Sequence, residues 1–206
     1  MTMEPLYITA IAFDLGNVLI KVDHWRCCRE LGRLAKISPE AVFQAIFQTN
    51  LEPRFDTGRL SREKFYEAIK RLIPLNIPRL QFYSIWNEIF EPMDGIEEVL
   101  ERLYPRYPLF LVSNTNEVHF HYISIRYSHL LGYFQDFILS YIAKSRKPEP
   151  GIYQALIKAT GRPAHEILFI DDKLPFVETA RGQGLAAWQF TDLEDLRGKL
   201  TESGLW

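Results

Sequence analysis

Two cysteines, adjacent at Cys27 and Cys28, are the only thiols in this 206-residue chain. Neighbours in sequence close no useful loop and have no metal-binding spacing, which excludes a disulfide framework and a thiolate metal site. Reduced thiols in a cytosolic setting, hence a cytoplasmic protein, are the simplest expectation. No apolar run approaches bilayer-spanning length, and the amino-terminus lacks a basic stretch leading into an apolar one, so neither a membrane span nor a secretion signal is expected. An excess of one charge is missing too. Lys and Arg total 24 against 26 Asp and Glu, a formal net charge of -2. This offers no electrostatic case for nucleic acid or an anionic membrane surface. Internal repeats and low-complexity stretches are absent. Apolar residues make up 47% and aromatics 14% of the chain, which suits a packed interior, and the length allows one domain plus an inserted subdomain.

The apolar run Tyr7 to Phe13, closed by Asp14 and followed by Leu15-Gly16-Asn17-Val18, reads as a core strand ending in a tight turn. Residues 24–91 then read almost entirely as helix, with apolar positions three to four apart, as at Phe43, Ile46 and Phe47. Ser38-Pro39-Glu40 and Ser61-Arg62-Glu63 look like helix starts. Asp56-Thr57-Gly58-Arg59 reads as a turn, so four helices forming a small bundle are expected. From residue 94 strands and helices alternate: strands at Leu109–Val112, Phe137–Leu139, Ile167–Ile170 and Ala186–Gln189, helices near 95–103, 117–126, 150–159 and 175–182, and a last helix after Asp192. Continuous apolar strands alternating with helices predict an α/β fold, a doubly wound (Rossmann-like) parallel sheet. The core is expected over 1–20 and 94–206, and the helical insertion over 21–93.

Polar residues of complementary kinds follow three of these strands. Asp14 follows the first, Ser113-Asn114-Thr115 follows Val112, and Asp171-Asp172 follows Ile170, while Lys147 lies in the loop Ser145-Arg146-Lys147-Pro148-Glu149-Pro150. Taken singly, each has a plainer explanation. Ser113 and Thr115 suit helix caps, Lys147 suits a solvated loop, and Asp171-Asp172 could cap the next helix. Together they point to one place, because the carboxyl ends of parallel strands face the same side of the sheet. Three carboxylates crowded together repel one another, and a divalent oxygen-seeking cation such as Mg²⁺ removes that conflict. A hydroxyl and a lysine suit phosphate oxygens, so the expected chemistry is phosphoryl transfer with an aspartate attacking phosphorus in line.

These motifs, Phe13-Asp14-Leu15-Gly16-Asn17-Val18, Val112-Ser113-Asn114-Thr115-Asn116, Arg146-Lys147-Pro148-Glu149 with Ile152-Tyr153, and Phe169-Ile170-Asp171-Asp172, together resemble the haloacid dehalogenase superfamily of phosphatases. The insertion looks like that superfamily's helical cap. The subgroup most similar is the small bacterial phosphatases of α-D-glucose 1-phosphate and related sugar phosphates. The resemblance implies Asp14 as nucleophile and an aspartyl-phosphate intermediate. It implies Mg²⁺ held by Asp14, the Gly16 carbonyl and the Asp171-Asp172 pair, with Asp172 the more direct ligand. It also implies that Ser113 and Lys147 hold the phosphoryl group, with Asn114 beside them and His119 facing the substrate.

This chain departs from the resemblance at several positions. Most phosphatases of the superfamily carry a second aspartate where Gly16 stands, acting as general acid and base, although the sugar-phosphate subgroup shares the glycine. Asp23 and His24 are candidate substitutes. Phe176 and Thr179 stand where relatives have asparagine and glycine. Trp25, Phe47 and Phe55 are candidates for the opening, with bundle core the better expectation from their spacing. The expected partner is a small phosphorylated metabolite, bound by a monomer or homodimer. Three other readings compete. A haloacid dehalogenase leaves Asp171-Asp172 idle, and a receiver domain has the acidic pair in the opposite order. A catalytically weak or inactive protein that binds a phosphorylated metabolite is the main alternative.

Overall fold

The computed structural model describes residues 7–206; residues 1–6, expected to belong to the core, lie outside them. In chain order the elements are β1 (Ala10–Phe13), β2 (Ile20–Val22), α1 (His24–Ala35), α2 (Pro39–Phe47), α3 (Leu51–Asp56), α4 (Arg62–Leu72), α5 (Arg79–Asn87), β3 (Phe90–Pro92) and α6 (Ile96–Leu103). Then follow β4 (Leu109–Ser113), α7 (Glu117–Arg126), α8 (Ser128–Leu131), β5 (Asp136–Leu139), α9 (Ser140–Ala143), α10 (Pro150–Thr160), β6 (Ile167–Asp171), α11 (Leu174–Gly182), β7 (Ala186–Gln189) and α12 (Leu193–Glu202).

Five strands form one parallel sheet in the order β5-β4-β1-β6-β7. Helices cover both faces, as the unbroken apolar strands require. Ile11, Phe13, Leu109, Leu111, Leu168 and Ile170 point to one layer, and Ala10, Ala12, Phe110, Val112, Ile167 and Phe169 to the other. This is the two-residue alternation of strand side chains. The register places the site. Phe13 lies opposite both Leu111 on β4 and Ile170 on β6, so the residues just beyond, Asp14, Val112-Ser113 and Asp171, end three adjacent strands side by side. The apolar run from Tyr7 is longer than β1 because the flanking strands begin only at Leu109 and Ile167, leaving Tyr7 and Ile8 without ladder partners on both sides.

Between β2 and β3 lie five helices rather than four. The additional one is α3, a six-residue helix with Pro53 in its first turn, where a missing N–H costs nothing. Ser38 and Ser61 cap α2 and α4, accepting bonds from Ala41 N–H and Lys64 N–H. The last helix of the insertion stops at Asn87. Phe90–Pro92 instead pairs antiparallel with Ile20–Val22, so both passages of the chain between sheet and helices run through one two-stranded ribbon. The helices have their own buried cluster, including Leu31, Ile46, Phe55, Phe65, Phe82 and Trp86. No helix among the described residues is long and apolar enough to cross a membrane.

Trp86 is the largest fully buried side chain. Its ring stacks near parallel on Phe47 at 5.6 Å and on His119 of α7 at 5.0 Å. Trp86→Ala is expected to lower unfolding free energy by ~3–5 kcal/mol, the usual cost of truncating a buried aromatic, as measured by urea denaturation.

Candidate active site

A cavity of about 280 Å³ opens at the carboxyl ends of β1, β4 and β6. Asp14, Gly16, Asn17, Ser113, Asn114, Lys147 and Asp172 line it from the sheet side, and His24, Phe43, Phe47, Glu52 and Asp56 from the helices. At the centre is the ammonium of Lys147, which is 1% exposed. Its Nζ lies 2.7 Å from Asp14 Oδ1 and 2.6 Å from Asp171 Oδ2, and donates to the Val112 carbonyl at 2.9 Å. All three of its donors are therefore engaged. Burial alone would lower this ammonium's pKa, but the two carboxylates outweigh burial and hold it above its ordinary value.

Lys147 is therefore no solvated loop cation. Asn114 explains its placement: Oδ1 accepts the Lys147 N–H at 2.7 Å and Nδ2 donates to the Lys147 carbonyl at 2.9 Å. The Asn114 side-chain amide is thus spent on orienting the lysine's backbone, so of the groups expected to meet substrate here it is not the amide that faces the cavity. Phe176, where relatives have asparagine, presents its ring 5.6 Å from Lys147 Nζ and 5.3 Å from Lys173 Nζ, within cation–π range.

Asp14, Asp171 and Asp172 each offer a carboxylate oxygen within 4.8 Å of the others. Asp171 has a partner on each oxygen, with Oδ2 on Lys147 and Oδ1 accepting Lys173 N–H at 2.9 Å. Asp172 differs: its Oδ1 is buried without a hydrogen-bond partner, a costly state for a carboxylate oxygen. An orphaned oxygen beside two further acids, in a set made only of oxygen donors, fits a hard dication such as Mg²⁺. Burial pushes the Asp14 carboxyl up to about 7; Lys147 pulls it down, and the Asp171 and Asp172 carboxylates push it further up. A cation among these acids reverses that rise.

Gly16 lies in the loop after Asp14 and bridges to Ile20 at the start of β2. A Cβ on Gly16 would stand 3.2 Å from Val22 Cγ2, so the ribbon crowds the position where an acid is missing. Asn17, for which the sequence suggested no role, adopts a left-handed φ of 59°, a conformation asparagine tolerates. Its Oδ1 accepts the Val22 N–H at 3.0 Å, fixing the turn.

His119 is placed differently from its expected contact with substrate. The ring lines the cavity, but Nε2 lies 3.2 Å from the Trp86 carbonyl and Nδ1 lies 3.3 Å from Asn116 Nδ2. Nε2 therefore donates and Nδ1 accepts, leaving neither nitrogen for a phosphate. Burial keeps it neutral, with its pKa lowered to about 3. His119 instead joins the sheet domain to the insertion. Asn116, rather than Ser113 or Thr115, caps α7, and its Nδ2 also donates to Asp56 Oδ1 at 3.1 Å. Buried Ser140 supports the same junction, accepting Thr115 N–H at 2.9 Å and donating to the Asp56 carbonyl at 2.6 Å.

Of the two candidate substitute acids, Asp23 caps α1, pairs with Arg29 at 3.1 Å and is not among the cavity's lining residues. His24 lines the cavity, and burial, reinforced by Lys173, lowers its pKa to about 4. Phe55 is core, Phe47 lines the cavity while stacking on Trp86, and Trp25 stacks outside on Phe43. Sequence reasoning missed Glu52, Asp56, Arg146 and Lys173, all of which line the cavity. The spacing of Glu52 and Asp56, four apart, would have put both on one helix face had α3 been recognised.

A model of the haloacid dehalogenase-like hydrolases matches residues 8–184, and the chain belongs to that family. It is 24% identical over 201 residues to a D-ribitol-5-phosphate phosphatase of Bacteroides thetaiotaomicron, covering 94% of this chain and 97% of that protein. A HAD family enzyme from Bacteroides thetaiotaomicron, solved in complex with magnesium and inorganic phosphate, superposes with a TM-score of 0.80 at 25% identity, covering 92% of this chain and 98% of that one. The L-2-haloacid dehalogenase of Xanthobacter autotrophicus shares the fold, with a TM-score of 0.66 at 21% identity over 95% of this chain and 83% of that one.

A Mg²⁺ ion held by these acids would compete below about pH 7 with the proton on Asp14, whose carboxyl burial pushes up to about 7. The Mg²⁺ dissociation constant, measured by calorimetry, should therefore be flat well above pH 7 and rise as pH falls below it, by up to about tenfold per pH unit for one proton. Asp172→Ala should weaken binding at every pH.

Proposed function

We propose that this hydrolase is a Mg²⁺-dependent phosphatase that cleaves a small sugar or polyol phosphate through an aspartyl-phosphate on Asp14. The observation that carries the reading is the buried ammonium of Lys147 held between Asp14 and Asp171, with the partnerless oxygen of Asp172 alongside. Dehalogenation needs the nucleophile but no second and third acid. A paired lysine and an acid cluster suit a phosphoryl group and a dication.

In this reading Asp14 attacks phosphorus. Both recorded contacts to its carboxylate, from Lys147 Nζ and the Leu15 N–H, fall on Oδ1, so Oδ2 is the oxygen for in-line attack. The Ser113 hydroxyl holds an equatorial phosphoryl oxygen, and Lys147 turns to another the donor it gives Asp14 as that carboxylate loses its charge on bonding to phosphorus. Asp14, the Gly16 carbonyl and the Asp171-Asp172 pair would hold the metal, Asp172 the more directly, while Asp171 also orients Lys147. Bound Mg²⁺ supplies positive charge that offsets carboxylate repulsion and the developing phosphoryl charge. Residues 21–93 act as the cap, excluding bulk water and selecting the leaving group. The cavity of about 280 Å³ suits a small ester rather than a phosphoprotein. The D-ribitol-5-phosphate phosphatase relative directs the choice toward polyol and sugar phosphates.

A panel of such phosphates assayed with Mg²⁺ or with chelator tests the proposal, with phosphate release expected only with the metal. Asp14→Asn should bring release down to the buffer blank. Wild-type turnover in that variant would remove the nucleophile assignment, and zero turnover of the whole panel by a metal-bound wild type would favour a binding protein. Lys147→Ala should lower kcat by about 10²–10³-fold, the usual cost of losing one group that stabilises transition-state charge.

A further inference from the structure

An alkoxide leaving a phosphate ester needs a proton at neutral pH, and Gly16 provides none. The other acids around the cavity are mostly accounted for. Asp14, Asp171 and Asp172 form the cluster around Lys147. Asp56 is 5% exposed and bound to Asn116, with Arg146 at 3.9 Å. Glu52 remains. It lies in the first turn of α3 and lines the same cavity as Asp14, with its side chain 22% exposed. Its Oε1 is 3.9 Å from His24 Nε2, beyond hydrogen-bonding range, and its carboxyl makes no hydrogen bond among the described residues. The charged and titratable groups around it are His24 from α1, Asp56 one turn along α3, Arg146 from the loop before α10 and Lys173 from the loop before α11. Phe43 and Phe47 of α2 form the apolar wall.

We propose that Glu52 of the helical insertion is the general acid and base of this site, donating the leaving-group proton in place of the acid absent at Gly16. The proposal rests on the phosphatase reading above. In the first step an Asp14 carboxylate oxygen bonds to phosphorus and the bond from phosphorus to the ester oxygen breaks. That oxygen takes the Glu52 proton, leaving a neutral alcohol, an aspartyl-phosphate and a Glu52 carboxylate. In the second step water attacks phosphorus, its proton passes to Glu52, and the bond between Asp14 and phosphorus breaks. This releases phosphate and restores both carboxyl groups. Burial, with the Asp56 carboxylate adding to it, pushes the Glu52 carboxyl up to about 7 against the pull of Arg146 and Lys173. Near neutral pH it is therefore poised both to give a proton and to recover one.

The test compares a polyol phosphate, whose alkoxide needs the proton, with p-nitrophenyl phosphate, whose phenolate leaves without it. In Glu52→Gln the ratio of kcat/KM for p-nitrophenyl phosphate to that for the polyol phosphate should rise by about 10²-fold or more. Wild-type kcat/KM on the polyol phosphate should fall as pH rises above about 7, and the variant should lose that decline. Equal losses on both substrates, or no loss on either, would overturn the assignment. If Glu52→Gln is insoluble, Glu52→Asp is used: its shortened reach should depress polyol phosphate turnover selectively, and an unchanged ratio would overturn the assignment. A wild type that turns over neither substrate with Mg²⁺ bound would instead remove the phosphatase reading, and the assignment with it.

Discussion

The site depends on one buried ammonium group. Lys147 brings a positive charge into the sheet's end with both neighbouring carboxylates in direct contact, and without it Asp14 and Asp171 would be buried like charges at adjacent strand ends. Breaking a buried pair is costly because it strands the remaining charge. Much of the surrounding structure serves to keep the lysine there. Asn114 grips its backbone on both sides, the Val112 carbonyl takes its third donor, and Phe169 and Phe176 place ring faces near its nitrogen. The residual electrostatic need is for more positive charge, and the unpartnered oxygen of Asp172 marks where it falls.

The sheet was legible because its strands are apolar on both faces, and fully buried strands must read as unbroken apolar runs. The first-strand aspartate, Ser113 and the acid pair were legible for the same reason: polar residues directly after such runs sit at the sheet's carboxyl end, whereas Lys147 follows no strand directly and was legible only from its charge and its motif. The helical insertion was legible in kind but not in number. Its short helix α3 contains a proline and spans six residues, too few for a periodic pattern to emerge. Glu52 and Asp56 were missed with it. β2 and β3 were missed because three-residue strands carry almost no alternation.

Contacts between distant segments were not legible. The spacing of His119 after Ser113-Asn114-Thr115-Asn116 suggests a group near substrate, and it does border the cavity. Its nitrogens, however, are claimed by Trp86 and Asn116, one in the insertion and one in its own helix. Asn114 illustrates the same limit. Nothing in the sequence shows that its amide pairs with a backbone unit 33 residues away. Partners brought together only by folding decide whether a polar side chain is available for chemistry or already used.

The ribbon of β2 and β3 ties the mouth of the cavity to its floor. Ile20 opens the ribbon and also bridges back to Gly16, while Asn17 grips Val22 at the ribbon's far end. The loop that carries the Gly16 carbonyl is therefore fastened to the same two strands through which the chain enters and leaves the five helices. One pair of strands thus sets both where the helices sit over the cavity and where the loop oxygens face it.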